Sequence, residues 1–174
     1  MKTLKGHIFD TCKGWMGVAA SDRGIAAVTH PCAQEAEARQ ALEELCPNGL
    51  DFERTEQDSI VGNFADKVVA FFEGQRVEFD EQVDLDGVSP FHRQVLELVR
   101  TIPYGEVRSY GWVAQQLGRP RAARAVGQAL HRNPVPIIIP CHRVIASNGS
   151  LRGFGWGLEF KEWLIGLEQS KSSC

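Results

Sequence analysis

The sequence lacks long apolar runs, and no stretch approaches the roughly 20 consecutive apolar residues that a membrane-spanning helix needs. Its first residues also lack the apolar segment of a signal peptide, which favours a cytoplasmic protein with no membrane partner. Cysteines are few: the chain has 5, an odd number without regular spacing, which makes a poor disulfide framework. We therefore expect free thiols in a reducing compartment.

Acidic residues are absent from one long stretch of the chain. The net charge is −3, yet residues 85–174 hold 11 Lys and Arg against 6 Asp and Glu, whereas the remainder holds 8 against 16. Between Val107 and Leu158 there are 7 arginines, Arg143 among them, and no acidic residue. This asymmetry indicates either a half that binds a polyanion or a positive face that only contacts solvent.

The first half of the sequence predicts an α/β unit. Two short apolar runs joined by a Ser-Asp-Arg-Gly turn predict a β-hairpin, and two later segments carry the apolar stripe of a helix. The predicted elements are strands at 14–20, 25–29 and 76–79 and helices at 33–46 and 63–73. This half shows no compact set of reactive side chains.

The pattern changes after residue 84, where an acidic, glycine-containing joint ends the first half. Ser89 and Pro90 then provide an N-cap and a first helical residue. The sequence therefore predicts two domains and a short tail, at 1–84, 85–170 and 171–174.

Two short helices, predicted at 109–117 and 121–131, flank a turn that contains Gly118. Short helices around a glycine turn are typical of a helix-turn-helix. The second helix consists largely of small residues and offers few long side chains to read base edges. It is suited either to close approach to a groove or to tight packing as a core helix.

A β-branched run at 135–139 predicts a buried strand that leads to Cys141. Most cysteines in such positions are inert apolar residues, and we interpret Cys12, Cys32 and Cys46 in that way. Cys141 differs because a histidine and an arginine follow it directly.

A nucleophilic cysteine needs a base or a positive charge nearby, because a thiol with a pKa near 8.5 is only about 3% ionised at neutral pH. His142 would supply the base, and the neighbouring arginines would supply the charge. Glu168, in a final helix predicted at 158–168, is a candidate to orient the imidazole.

The run IPCHRVI at 139–145 resembles the O6-alkylguanine-DNA alkyltransferase family, whose members are also called methylated-DNA–protein-cysteine methyltransferases. The flanking runs RAARAVGQALHRNPVPI and NGSLRGFGWGLEFKEWL resemble the same family. The specific resemblance covers roughly 89–168. The first half resembles that family's ribonuclease-H-like domain only loosely, in length and in its hairpin-and-helix order.

The resemblance implies an α/β (α+β) fold, with an N-terminal ribonuclease-H-like domain and a C-terminal helix-turn-helix, winged-helix-like domain. It implies a single-turnover methyltransferase that repairs DNA without a cofactor. The substrate would be double-stranded DNA carrying O6-alkylguanine, and also O4-alkylthymine. A monomer would flip the damaged base, move its alkyl group to Cys141 and inactivate itself irreversibly.

The resemblance also implies roles for single residues. Cys141 would be the alkyl acceptor, His142 a water-linked base and Glu168 its orienter. Asn133 would be the hinge between the recognition helix and the active-site strand. Tyr110 would donate a hydrogen bond to the guanine ring, which eases departure of the base as an anion.

The resemblance implies further residues for the surface that binds the duplex and for the pocket that receives the flipped base. Arg124 would enter the base stack and fill the space of the flipped nucleotide. The other implied DNA contacts are Ser109, Arg121, Ala123, Ala125 and Gly127. The implied base pocket consists of Tyr110, Pro136, Val144, Phe154, Gly155, Trp156 and Lys161.

The sequence departs from the family pattern at positions beside this pocket. Phe154 stands where many members have tyrosine, so no hydroxyl is present there. Trp156 stands where many have glycine, and we expect its ring to narrow the pocket and to slow reaction with benzyl-type guanines. Arg152 replaces a small residue and either contacts a phosphate or adds no contact.

A metal site is a weak alternative. Cys12, His30 and Cys32 could approach one another around the N-terminal hairpin, but their spacing lacks the paired pattern of a dependable zinc site. We expect no bound metal.

Two other functions compete with alkyl transfer. A cysteine hydrolase would use the same thiol but would explain neither the helix-turn-helix nor the arginines. A regulator or damage-recognition module would bind alkylated DNA without repairing it. Related non-transferring proteins carry tryptophan at the cysteine position, so Cys141 argues against that class.

Overall fold

The computed structural model describes residues 3–52, 58–151 and 153–170. The chain divides between Asp84 and Leu85 into two compact units. The predicted tail at 171–174 and the predicted phosphate contact Arg152 lie outside the described residues. None of the described helices is long and apolar enough to cross a membrane.

The N-terminal unit is a four-stranded sheet with two helices. Its strands lie in the order β3-β2-β1-β4, with β4 parallel to β1 and the other pairs antiparallel. The elements are β1 (Leu4–Thr11), β2 (Gly14–Ser21), β3 (Gly24–Val28), α1 (Glu35–Leu45), β4 (Leu50–Asp51) and α2 (Ile60–Phe72).

Apolar packing holds this unit together. Five consecutive residues of β2 are buried, so both faces of that strand are covered. On α1, Leu42 packs in a cluster with Ala19, Ala27 and Cys46, while α2 buries Phe64, Phe71 and Phe72. The predicted hairpin and both predicted helices of this half are confirmed.

One strand prediction in this unit, at 76–79, is wrong, and two strands, β1 and β4, were not predicted. The sequence pattern missed β1, because its residues do not alternate cleanly between apolar and polar. Residues 76–79 form no strand; the chain pairs with β3 just beyond them, where Val83 bridges Ile25 and the Ile25 amide donates to the Gln82 carbonyl at 2.8 Å. Gly24 permits this approach, since it has a φ of +142° and an added Cβ would lie 2.3 Å from the Gln82 carbonyl oxygen.

The C-terminal unit is mainly helical, so the whole fold is mixed α and β. Its elements are α3 (Pro90–Arg100), β5 (Arg108–Ser109), α4 (Tyr110–Gln116), α5 (Ala123–His131), a 3-10 helix (Cys141–Arg143), β6 (Val144–Ile145) and α6 (Leu158–Ser170). The short strands β5 and β6 pair in parallel. This pairing brings the start of α4 close to the segment that follows Cys141.

The predicted helix-turn-helix is present as α4 and α5. Ser109 caps α4, because its Oγ accepts a hydrogen bond from the Trp112 amide at 2.9 Å. Gly118, with a φ of +70°, lies in the turn after α4. α5 starts at Ala123 rather than at 121, since the preceding residues form a turn in which the Ala122 amide donates to the Arg119 carbonyl at 2.9 Å.

The predicted strand at 135–139 is wrong, although every residue of that run is buried. The segment is a tight turn in which the Ile139 amide donates to the Val135 carbonyl at 3.1 Å. Ile137 has a φ of +78°, a left-handed conformation that is rare for a β-branched residue. Cys141 therefore stands at the start of a 3-10 helix and not at the end of a strand.

Candidate active site

The side chain of Asn133 holds the turn that precedes Cys141. Its Nδ2 donates to the Ile139 carbonyl at 2.9 Å, and its Oδ1 accepts from the Val135 amide at 3.0 Å. The Cys141 amide donates to the same Ile139 carbonyl at 2.8 Å. These hydrogen bonds hold the turn in one conformation, and the turn fixes the position of Cys141.

Cys141 is only 5% exposed, and burial is the main influence on its thiol. Burial raises the pKa of Cys141 to about 11, while a hydrogen bond with Asn133 and the positive charge of Lys161 act in the opposite direction. The expected contribution of arginines is wrong, because the charge that stabilises the thiolate belongs to a lysine. The resting side chain is a thiol.

His142 and Glu168 form a buried pair. His142 Nε2 lies 2.8 Å from Glu168 Oε1, and the two side chains are 1% and 2% exposed. Burial would raise the pKa of Glu168, but hydrogen bonds and charges from His142 and Arg143 outweigh it and hold that pKa at about 2. A carboxylate fixed in the ionised state accepts the Nε2 proton and leaves Nδ1 as the lone-pair nitrogen.

The Nδ1 atom of His142 is buried and has no hydrogen-bond partner among the described residues. Burial lowers the pKa of this imidazole, Glu168 raises it, and the positive charges of Arg143 and Lys161 lower it further. A neutral imidazole with a free lone pair, next in sequence to a thiol, is suited to accept the thiol proton.

Lys161 links α6 to α4 and β6. Its Nζ donates to the Val144 carbonyl at 2.6 Å and to the Tyr110 hydroxyl at 3.3 Å. Burial lowers the pKa of Lys161 to about 8, against the opposing influence of Cys141. Burial, together with Cys141, also raises the pKa of Tyr110, so its hydroxyl keeps the proton that it would donate to a substrate.

A cavity of about 740 Å³ opens beside these residues within the C-terminal unit. Tyr110 lines it, and α5 contributes Ala123, Arg124 and Gly127. Several further lining residues were not expected, because they have no reactive pattern in the sequence and are brought there only by the fold: Gly111, Gln128, His131, Arg132, Ala146 and Ser147.

Other residues expected in the base pocket lie around this cavity rather than on its lining. Val144 is fully buried and contributes its carbonyl to Lys161. The Phe154 ring lies 6.0 Å from Lys161 Nζ. Trp156 packs against Phe154 and Phe160, with ring centroids 5.9 Å and 5.8 Å apart. Pro136 is buried in the turn before Cys141 and Gly155 is exposed.

Some of the residues expected to contact DNA have exposed side chains, and one is already hydrogen-bonded within the protein. Arg121 and Arg124 are exposed, while Ala123, Ala125 and Gly127 give α5 a half-buried, small-residue face. The Ser109 hydroxyl is already engaged as a helix cap.

The remaining cysteines differ among themselves. Cys32 and Cys46 are free and buried, whereas Cys12 is disulfide-bonded, so the expectation of free thiols is wrong for Cys12. Cys32 Sγ lies 3.6 Å from His30 Nε2. Within residues 3–52, 58–151 and 153–170, no group of three or more His, Cys, Asp or Glu side chains is arranged to hold a metal ion.

Comparison with known families covers almost the entire chain. Residues 90–170 match the model of the 6-O-methylguanine DNA methyltransferase DNA-binding domain, and residues 6–85 match that of the ribonuclease-like domain of the same proteins.

Individual proteins agree with these matches. A methylated-DNA–protein-cysteine methyltransferase of Mycolicibacterium paratuberculosis is 48% identical over 118 residues, which are 68% of this chain and 71% of the relative. The corresponding Salmonella typhimurium protein is 47% identical over 104 residues, 60% of this chain and 61% of that relative. The crystal structure of Mycobacterium tuberculosis OGT in complex with DNA has a TM-score of 0.76 at 33% identity, covering 98% of this chain and 96% of that one.

Proposed function

The chain belongs to the 6-O-methylguanine DNA methyltransferase family, and on that premise we propose that it repairs DNA by moving a methyl or larger alkyl group from guanine O6 to Cys141. The observation that carries this assignment is the arrangement of Cys141 and His142. The buried thiol is followed directly by a histidine whose Nε2 is hydrogen-bonded to Glu168, and the buried Nδ1 of that histidine has no partner among the described residues. Cys46 lies in an apolar cluster, and the histidine beside Cys32, His30, is not bound to a carboxylate among the described residues.

DNA binding is assigned to α5 and the cavity beside it. The small residues Ala123 and Gly127 let the helix approach the duplex closely, and the exposed Arg124 is a long cation at the cavity wall. An alkyl group on guanine O6 lies within the stacked duplex, so the nucleotide has to rotate out before a buried thiol meets it. Arg124 then fills the space that the base leaves.

Proton transfer precedes or accompanies the attack. The thiol proton passes to His142 Nδ1, directly or through one water, and Glu168 stabilises the resulting imidazolium. The thiolate of Cys141 attacks the alkyl carbon, a sulfur–carbon bond forms, and the carbon–oxygen bond breaks with its electron pair moving to guanine. Tyr110 donates a hydrogen bond to the ring as this negative charge develops, while Lys161 donates to the Tyr110 oxygen.

The product is a thioether, which water does not cleave at neutral pH, so each molecule reacts once. The same displacement applies to O4-alkylthymine, whose alkyl group is also bound to a ring oxygen. All the residues assigned to the reaction lie in one unit of one chain, which supports action as a monomer on DNA. We further propose that the protein acts without a cofactor and in the cytoplasm.

Intact-mass analysis after incubation with duplex DNA containing O6-methylguanine tests the proposal. We expect one added methyl group per chain, located on Cys141, and no further product after one equivalent of DNA. Cys141→Ala abolishes the addition. Cys46→Ala, which removes another buried free thiol, leaves it intact.

Other outcomes identify the competing functions. An unmodified protein that releases product steadily would identify a hydrolase, and binding of the damaged duplex with no mass change would identify a recognition module.

A further inference from the structure

Arg143 is one of the seven arginines of the basic stretch, but the structure turns it inward. Its side chain is 12% exposed and forms a fork on Glu168, with Nε 2.9 Å from Oε2 and Nη2 2.8 Å from Oε1. Its Nη1 donates to the Ile102 carbonyl at 2.6 Å. Every nitrogen of the guanidinium head is thus engaged inside the protein, and the side chain is not positioned to bind a phosphate.

Both oxygens of Glu168 are occupied as a consequence. Oε1 accepts from His142 Nε2 and from Arg143, and Oε2 accepts from Arg143 Nε and from the Gly105 amide at 3.2 Å. A planar guanidinium fork restricts a carboxylate in direction as well as in distance. The oxygen that faces His142 therefore has a fixed place.

Charges of both signs surround His142. Glu168 on α6 is negative, Arg143 in the same 3-10 helix and Lys161 on α6 are positive, and Cys141 is a neutral thiol at rest. A carboxylate alone beside an imidazole favours the imidazolium, which has two N–H donors and no lone pair. The positive charge of Arg143 offsets this attraction.

We propose that Arg143 is a positioning residue that fixes Glu168 and offsets its charge, so that His142 stays neutral with its proton on Nε2 and its lone pair on Nδ1. The inference rests on the proposed function, since that lone pair receives the thiol proton. It assigns to an arginine beside the nucleophile a part in proton transfer and none in DNA binding.

Two substitutions separate charge from geometry. Arg143→Gln removes the charge, and Arg143→Lys keeps the charge but loses the fork. We measure the single-turnover rate constant of methyl transfer at saturating O6-methylguanine duplex from about pH 5.5 to about pH 9, a span that brackets histidine titration, and the dissociation constant of the duplex separately. Arg93→Gln is the matched control, because Arg93 lies in the same unit and donates to the Leu85 carbonyl at 2.7 Å, away from Glu168.

In Arg143→Gln we expect the rate constant to fall roughly 10- to 100-fold at neutral pH, part of the effect that a positioned base provides. The fall of the rate constant at low pH, the acid limb of its pH profile, should move to higher pH, because the negative charge of Glu168 is no longer offset and raises the pKa of His142. Arg143→Lys restores the position of the acid limb but only part of the rate. An unshifted limb in Arg143→Gln would reduce Arg143 to a structural role, and a change confined to the dissociation constant would make it a phosphate contact.

The unmodified protein provides a readout that does not depend on a variant's folding. Nitrogen-15 chemical shifts of the His142 ring should show the neutral Nε2–H form at neutral pH. An imidazolium at that pH overturns the inference. A neutral ring in a chain that transfers no methyl group overturns the proposed function and leaves the tautomer assignment standing.

Discussion

Two buried cysteines, one in each unit, make the most instructive comparison in this molecule. Cys46 and Cys141 are each 5% exposed, and burial raises the pKa of each to about 11. Cys46 packs with Ala19, Ala27 and Leu42. Cys141 instead has the Asn133 amide and the Lys161 ammonium group as neighbours, and His142 follows it in the 3-10 helix.

The comparison shows that a lowered resting pKa is not what distinguishes the reactive thiol. In the proposed reaction, His142 accepts the proton and the groups around the thiol stabilise the anion, whereas an apolar cluster does neither. Before the proposed reaction the buried thiol stays protonated, which would protect a residue that reacts only once.

The largest expected effect comes from removing the proton acceptor. His142→Gln leaves a side chain that still hydrogen-bonds to Glu168 but cannot take the thiol proton. Cys141 should then resemble Cys46, and the single-turnover rate constant should fall by roughly 10² to 10⁴, with binding of the duplex unchanged. A rate close to that of the unmodified protein would show that the thiol ionises without His142.

The second prediction concerns acid stability, which should depend on the C-terminal unit. The pKa of Glu168 is about 2 in the folded state against 4.5 for an ordinary glutamate. Because the pKa is lower in the folded state, ionised Glu168 stabilises the folded protein fully above about pH 4.5, and this stabilisation is lost as the pH falls towards 2. It amounts to roughly 3 kcal/mol, measurable as the free energy of urea unfolding across that range.

Glu168→Gln provides the control for acid stability. The variant should be less stable by about 3–5 kcal/mol at neutral pH, since it leaves Arg143 buried without a carboxylate. Its remaining stability should change less between pH 4.5 and pH 2. An equally steep loss in the variant would assign the acid sensitivity to other carboxylates.

The third prediction concerns Trp156, which packs against Phe154 beside the cavity. Trp156→Gly should accelerate the reaction of Cys141 with O6-benzylguanine by roughly tenfold, the scale on which pocket size changes selectivity. The rate with O6-methylguanine duplex should change little. Rapid labelling of the unmodified protein by O6-benzylguanine would contradict a narrow pocket.

The smallest expected effect lies at Cys46. Cys46→Ala removes a buried sulfur from an apolar cluster and should cost about 1 kcal/mol of unfolding free energy, with no change in methyl transfer. Urea unfolding and single-turnover kinetics on the same preparation measure both quantities. A slower transfer would mean that the two cysteines are not independent.

The sequence predicted those features that depend on neighbouring residues. The adjacency of Cys141 and His142 and the glycine turn between α4 and α5 are local patterns. Glu168 was a candidate to orient the imidazole, but it lies 26 positions after His142, and the sequence alone could not place the two together. The inward direction of Arg143 could not be predicted, because a count of charges contains no orientation. Its position beside a candidate base was the only available signal.

The wrong prediction at 135–139 has a similar explanation. A β-branched, buried run fits a strand, and only a residue in an unusual conformation distinguishes the observed turn. Ile137 is that residue, and its left-handed φ is stabilised by tertiary contacts rather than by local preference. The first strand was missed for the opposite reason, since its hydrogen bonds to β2 define it better than its side chains do.

The turn around Ile137 also determines when the protein becomes reactive. A left-handed isoleucine costs about 1–3 kcal/mol, and Asn133 and the packed interior maintain it only after the C-terminal unit has formed. A nascent or partly unfolded chain therefore carries an ordinary solvated cysteine, without a base or a cavity beside it. Folding of the C-terminal unit would thus have to precede reactivity, so that the proposed single reaction takes place only at the assembled site.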